Sequence, residues 1–221
     1  MTAYFVTGTG TGIGKTFVSA GVLRAVPQAT GIKPILSGFA EADAAGSDSG
    51  LLLAAMGRPV TADNIAAITP WRFAAPLSPD MAAARENREI MLAPVVEFCR
   101  TAIAEAPGLL LVEGVGGAMV PLNAQHTVRD WIAALKIPVL LVAGTYLGTI
   151  SHTLTTAAAL AAAGIPIAAI VLSESPDSPV PPAETASVIR RFLPAPVKLI
   201  PRGAGQPAFR QLAEFLEFRP D

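Results

Sequence analysis

Apolar residues in this chain fall in short runs cut by glycine and proline, and the runs alternate between two periods. Residues 4–7, 139–143, 167–172 and 197–200 read as buried strands, and 108–112 as another that ends at Glu113. Helical spacing covers 16–26, 51–56, 89–106, 127–135, a segment ending near 163, 182–193 and 208–216. Ile32-Lys33-Pro34-Ile35 reads as a short second strand edge in which Pro34 keeps Lys33 extended. Ser47-Asp48-Ser49 has the form of a helix cap, which is the ordinary role for Asp48. Prolines 70, 76 and 79 make 61–79 a long irregular connection carrying Trp71 and Phe73, of the kind that often serves as a binding lid. Such alternation predicts an α/β fold: a mostly parallel central sheet with helices on both faces and ligands at the carboxyl ends of the strands.

The run 137–173 lacks Asp, Glu, Lys and Arg, and the mean hydropathy is +0.50, which raises the question of a membrane span. Pro138, Gly144, Gly148, Gly164 and Pro166 divide it into strand, alanine-rich helix and strand, so no span is expected. The chain does not begin with a basic segment followed by an apolar one, so no secretory signal is expected. A length of 221 residues suits one domain over 1–221. A net charge of −1 supplies no polybasic field, so neither nucleic acid nor an anionic membrane is an expected partner. Cys99 is the only cysteine; it reads as a packed small hydrophobe and fits a reducing, cytoplasmic setting. His126 and His152 have no paired spacing, and no serine stands in a Gly-x-Ser-x-Gly turn, so zinc-enzyme and serine-hydrolase readings have no support.

Chemistry concentrates in Thr7-Gly8-Thr9-Gly10-Thr11-Gly12-Ile13-Gly14-Lys15-Thr16, directly after the first strand. Glycines at 8, 10, 12 and 14 remove side chains that would hold a ligand off the main chain, so successive N–H groups can converge on a phosphate chain. Lys15 adds a cation for the outer phosphates, and the Thr16 hydroxyl is placed for Mg2+. Gly14-Lys15-Thr16 closes a P-loop, although Gly8 stands one residue further away than the strict spacing, where Thr9 is found. The same glycines resemble the nucleotide loop of short-chain dehydrogenases, but four residues after Tyr4 and Tyr146 stand Gly8 and Ile150, not the lysine that chemistry needs. A plain glycine turn leaves Lys15-Thr16 unexplained. Glu113, at the tip of an apolar strand and followed by Gly114-Val115-Gly116-Gly117, is placed like the acids of a P-loop metal shell. The turn 144–151 offers a second helix start to an anion.

Taken together, Tyr4-Phe5-Val6-Thr7-Gly8-Thr9 before Gly14-Lys15-Thr16, Gly31-Ile32-Lys33-Pro34, Ser37-Gly38, Ser47-Asp48, Pro76 to Pro79, Val112-Glu113-Gly114, Gly116-Gly117, Ile137-Pro138-Val139 and Leu147-Gly148 to His152 closely resemble the dethiobiotin synthetase family. The resemblance runs from Tyr4 to about Pro201. It implies a single-domain P-loop NTPase fold and an ATP-dependent ring closure in biotin biosynthesis: 7,8-diaminopelargonate, CO2 (or bicarbonate) and MgATP give dethiobiotin, ADP and phosphate through a carbamate and its mixed anhydride with phosphate. By position it makes Lys33, with Lys15 and Thr11, the catalytic group. Gly12, Ile13, Gly14, Lys15, Thr16 and Phe17 would wrap the phosphates, with Gly114, Val115, Gly116 and Ser173 also on the nucleotide. Thr16, Asp48 and Glu113 would hold Mg2+. Ser37, Gly116 and Gly117 would touch substrate, and Gly148, Thr149, Ile150 and Ser151 would receive its distal carboxylate. A homodimer is implied, its pocket completed by the second copy.

Several positions depart from the family pattern. Gly10 and Gly12 stand where acids are usual, Ser173 replaces the asparagine that reads adenine, and Tyr146, Ser151 and Thr185 replace lysine, asparagine and tyrosine near the carboxylate. Weaker or rearranged tail recognition is expected. A partitioning or division-site switch ATPase is the alternative on this architecture; its extra early lysine is missing, and the 209–218 stretch balances Arg210 with Glu214 and Glu217. Amidating ligases, which also phosphorylate a carboxylate, usually add a glutaminase domain that 221 residues do not accommodate.

Overall fold

All six residues of the first strand, β1 (Ala3–Gly8), are buried, so helices must cover both faces of the sheet that contains it. Two adjacent side chains demonstrate this in the computed structural model, which describes residues 2–176 and 178–217. The Tyr4 hydroxyl donates to the Leu216 carbonyl of the last helix at 2.8 Å, whereas the Phe5 ring meets Trp131 edge-on at 4.7 Å. Successive side chains of a strand point to opposite faces. Phe218, at the end of the C-terminal stretch considered above, lies outside the described residues.

After β1 come α1 (Lys15–Ala25), β2 (Thr30–Ile32), β3 (Ile35–Ser37), α2 (Asp48–Ala55), α3 (Ala62–Ile68), β4 (Trp71–Phe73), α4 (Pro79–Arg85) and α5 (Leu92–Glu105). The second half holds β5 (Leu110–Glu113), α6 (Val128–Leu135), β6 (Val139–Ala143), α7 (Thr149–Ala162), β7 (Ile167–Ser173), α8 (Pro182–Phe192), β8 (Val197–Ile200) and α9 (Gln206–Glu217). Six strands form one parallel sheet in the order β2-β5-β1-β6-β7-β8, and β3 and β4 form a small parallel pair. Val6 is level with Glu113 and Gly8 with Val142, so the central strands end together and their loops gather at one rim. Among the described residues no helix is long and apolar enough to cross a membrane.

Two expectations need correction. The single strand edge read at 32–35 is two strands in two sheets, with Lys33-Pro34 as the link. Pro34 has no N–H for a ladder, the Lys33 N–H donates to the Ile68 carbonyl at 3.0 Å, and the Pro34 carbonyl accepts from Trp71 N at 3.1 Å. The connection 61–79 is not irregular throughout: it contains α3 and β4, and α4 starts at Pro79. Its prolines stand outside or at the first position of these elements, where a missing N–H does no harm. Thr61 caps α3 by accepting from Asn64 N at 3.2 Å.

Candidate active site

Between β1 and α1 the chain wraps into a cradle because two of its glycines take conformations that other residues resist. Gly12 has φ 71° and Gly14, the N-cap of α1, has φ 95°. A Cβ on Gly14 would also come within 2.4 Å of the Ser173 hydroxyl oxygen, so loop and β7 approach each other only because that atom is missing. Gly10 differs: its φ is not positive and a Cβ there would meet nothing within 4 Å. Gly117 closes the cradle from behind, where a Cβ would stand 3.3 Å from Gly10 N and Gly8 O. The Lys15 ammonium bends back to the Gly10 carbonyl at 2.8 Å.

Beside the cradle, side chains from α1, α2, β5 and the β2–β3 link converge. The buried Lys33 ammonium bridges Asp48 Oδ2 and Glu113 Oε1, each at 2.8 Å, and donates to the Gly114 carbonyl at 2.9 Å. Its three protons are thereby used. The Thr16 hydroxyl stands 2.8 Å from both Asp48 Oδ1 and Glu113 Oε1, although it has one proton to give. Glu113 is 0% exposed, and its Oε2 is buried with no protein partner. An oxygen-rich corner with an orphaned carboxylate atom suits a hard divalent cation that keeps waters and takes one or two carboxylates. Asp48 also occupies the first turn of α2, whose N-cap is Ser47, accepting from Gly50 N at 3.1 Å.

These charges tune one another. Burial by itself would lower the Lys33 ammonium's pKa, but the Glu113 and Asp48 carboxylates outweigh it and raise the pKa above the ordinary value. Burial would raise the Asp48 carboxyl; the charge and hydrogen bond of Lys33 overcome that and hold it below the usual range. Lys15 is lowered to about 8 by burial and by the like charge of Lys33, with Glu113 and Asp48 opposing. Four groups, two of each sign, thus form a balanced cluster in which Lys15, Lys33 and Glu113 are buried and Asp48 faces the cavity.

A cavity of about 780 Å³ opens over this corner. Of the residues singled out from sequence, Thr11, Gly12, Gly14, Lys15, Thr16, Phe17, Lys33, Ser37, Asp48, Val115 and Gly116 line it. A second cavity, about 450 Å³, lies on the other side of the loop, lined by Ile13 and Ser173 with Gly12, Gly14 and Phe17. Gly114 is packed on Phe5, where a Cβ would come within 2.7 Å, and offers its carbonyl to Lys33. Glu113 reaches the corner through its partners and Gly117 lies behind the loop. Gly148, Thr149, Ile150 and Ser151 line neither cavity.

The start of α7 is tied both within its own turn and to the loop after β7, where Thr145 and Ser175 exchange hydrogen bonds at 3.0 Å. Gly148 is its N-cap at φ 97°, and the Thr149 hydroxyl donates to the Gly144 carbonyl at 2.7 Å. Tyr146 Oη and His152 Nδ1 are 2.8 Å apart, and Leu147 between them is 85% exposed.

A family model described as "AAA domain" matches residues 2–200. The ATP-dependent dethiobiotin synthetase BioD of Methylobacterium nodulans is 49% identical over 218 residues, covering 94% of this chain and 96% of that one. The BioD of Acidiphilium cryptum is 53% identical over 201 residues, covering 88% and 90%. The chain belongs to the ATP-dependent dethiobiotin synthetase family. Among solved structures, the cell division ATPase MinD of Pyrococcus furiosus has a TM-score of 0.56 at 17% identity, covering 98% of this chain and 99% of that one. HypB of Helicobacter pylori, in complex with nickel, also has 0.56, at 11% identity, covering 98% and 85%. At such identities the likeness concerns the P-loop fold alone.

For a dethiobiotin synthetase, the departures seen in sequence have distinct settings. The usual acid at Gly10 would project into open space, whereas at Gly12 it would need a left-handed backbone. Ser173 is buried at the end of β7, and the adjacent Glu174 and Arg202 also line the second cavity. Glu174 Oε2 accepts from Arg202 N at 2.8 Å. Arg202 and Gly203 were not singled out from sequence, although their place just past the carboxyl end of β8 is the signal that would have found them. Pro76 to Pro79, part of the family resemblance, form one wall of the first cavity.

Proposed function

We propose that this chain, as a single domain, is the ATP-dependent cyclo-ligase that makes dethiobiotin from 7,8-diaminopelargonate and CO2. Family membership supports the reaction; the observation that carries its placement is the Lys33 ammonium held in the wall of the main cavity beside the phosphate loop. The 7-amine takes up CO2 as a carbamate. A carbamate oxygen attacks the γ-phosphorus of ATP, ADP leaves, and the 8-amine displaces phosphate from the mixed anhydride to close the ring. Two anions meet in the phosphoryl-transfer step, where positioned cations contribute most.

The residues divide this work. Main-chain N–H groups from Gly12 to Phe17 cradle the phosphates, and Lys15 and Lys33 neutralise the group in transfer. Thr16, Asp48 and Glu113 hold Mg2+, which when bound supplies charge to the β- and γ-phosphates; Glu113 Oε2 is the donor that fits it. Gly114, Val115 and Gly116 border the nucleotide, and Ile13 and Ser173 place its base in the second cavity. Thr11, Ser37, Gly116 and Gly117 border the diamine; the Ser37 hydroxyl is buried without a protein partner, consistent with a ligand contact. Gly148 to Ser151 receive the distal carboxylate at the start of α7. Because they line neither cavity of their own chain, this role calls for a homodimer that brings them to the partner's cavity. A cytoplasmic enzyme with no nucleic-acid or membrane partner fits the charge and the buried thiol. The test is ADP release with dethiobiotin formation on adding the diamine and bicarbonate to protein and MgATP; no diamine-dependent ADP would overturn the reading.

A further inference from the structure

Lys33 has two duties that one position cannot serve. A group that neutralises a transferring phosphoryl must reach into the cavity, yet here all three Lys33 donors are spent on Asp48, Glu113 and the Gly114 carbonyl. Those carboxylates are the acids assigned to the metal, and the Thr16 hydroxyl touches the same pair. We infer that Lys33 is a built-in counter-ion for Asp48 and Glu113 in the resting protein, and that divalent-metal entry and release of the Lys33 ammonium toward the reacting groups are one exchange. This rests on the metal assignment under Proposed function.

The physical reason is charge balance in a corner where Lys33 and Glu113 are buried and Asp48 is 37% exposed. Two carboxylates facing each other without a cation would be strongly destabilised, and Lys33 supplies the cation before any ligand arrives. A divalent ion entering alone would leave Lys33 and Lys15 in excess, so it enters with the triphosphate, whose negative charge accepts the freed ammonium. The main cavity reaches Lys33, Lys15, Thr16 and Asp48 alike, so the ammonium has somewhere to go. The consequence is an ordering: Lys33 becomes available for catalysis only once metal and nucleotide are in place.

The test uses Mn2+ as the probe, read by electron paramagnetic resonance on the full chain without nucleotide. Lys33→Met should bind Mn2+ at least ~10-fold more tightly than the natural chain, because it removes the cation shared by Asp48 and the buried Glu113. Lys33→Arg, which keeps a cation, should not. Mg2+ should raise the melting temperature of Lys33→Met and leave the natural chain unchanged. Equal Mn2+ affinity in the methionine variant and the natural chain would overturn the exchange. Should Lys33→Met fail to fold, the 15N resonance of Lys33 Nζ in the natural chain decides. Movement on adding Mg2+ with a non-hydrolysable ATP analogue, but not with the analogue alone, supports the exchange; no movement, or movement with both, overturns it. Failure of Mn2+ to bind the natural chain even with the analogue would overturn the metal assignment itself, a different result from either of these.

Discussion

The phosphate corner and the start of α7 are both helix N-termini at the same rim of the sheet, yet they are built in opposite ways. Around α1, Thr16, Lys33, Asp48 and Glu113 restrain one another, and Lys15 is held to the Gly10 carbonyl, through contacts of 2.8 to 2.9 Å; Lys33 and Glu113 are nearly or wholly out of solvent. Around α7, Thr149 and Tyr146 bond within their own turn, Thr145 exchanges hydrogen bonds with Ser175 and accepts one from Ser178 in the loop after β7, and Leu147 stands in water. The first region closes on itself within one chain; the second leaves an apolar side chain exposed. On the proposed function, bond making is served by a tightly restrained site and the distal carboxylate by a more open one.

The sharpest way to break this comparison is Lys33→Ala. It should lower turnover by about 10²-fold or more with nucleotide binding retained, measured as kcat and as nucleotide Kd by calorimetry. Near-normal turnover would mean that the restrained corner is structural only. Next, Leu147→Glu should raise KM for the diamine by about 10-fold, the effect of roughly 1.4 kcal/mol of lost binding, and shift the protein toward monomer in sedimentation. An unchanged KM in a dimer would remove α7 from the substrate site.

Gly117→Ala gives a smaller and more discriminating result. A Cβ 3.3 Å from Gly10 N and Gly8 O presses on the phosphate loop, so KM for ATP should rise several-fold. A rise confined to the diamine would mean that the contact of Gly117 with the diamine outweighs its packing on the loop. At the start of α6, Asp130 caps the helix by accepting from the Thr127 N–H at 2.7 Å. Asp130→Ala should cost about 1 kcal/mol of stability with rates unchanged. Burial opposes ionisation of Asp130, but the Thr127 hydrogen bonds and Arg129 hold it below the usual carboxylate range. Its contribution is therefore present above the unfolded-state pKa and lost as pH falls through the folded one, which acid titration of the two proteins compares. Smallest of all, the buried Cys99 thiol, pushed up to about 12 by burial, should resist alkylation until the chain unfolds.

Much of this was visible in sequence where one element sufficed. A buried strand such as β6 is a continuous apolar run bounded by proline and glycine, and its limits agree with the structure. The glycine loop likewise announces its ligand through local spacing. What sequence did not reveal was pairing at a distance. β3 and β4 have three residues each and are strands only because they lie beside each other, and prolines at helix starts looked like breaks. Asp48 reads locally as an ordinary cap, and nothing near Lys33 shows that its partners are Asp48 and a glutamate 80 residues away.

Gly10 leaves a practical opening. With no left-handed backbone to preserve and no atom within 4 Å of a prospective Cβ, it is the position at which an acid typical of related enzymes could be grafted without disturbing the scaffold. An engineer could introduce a carboxylate there first, keeping Gly12 as it is.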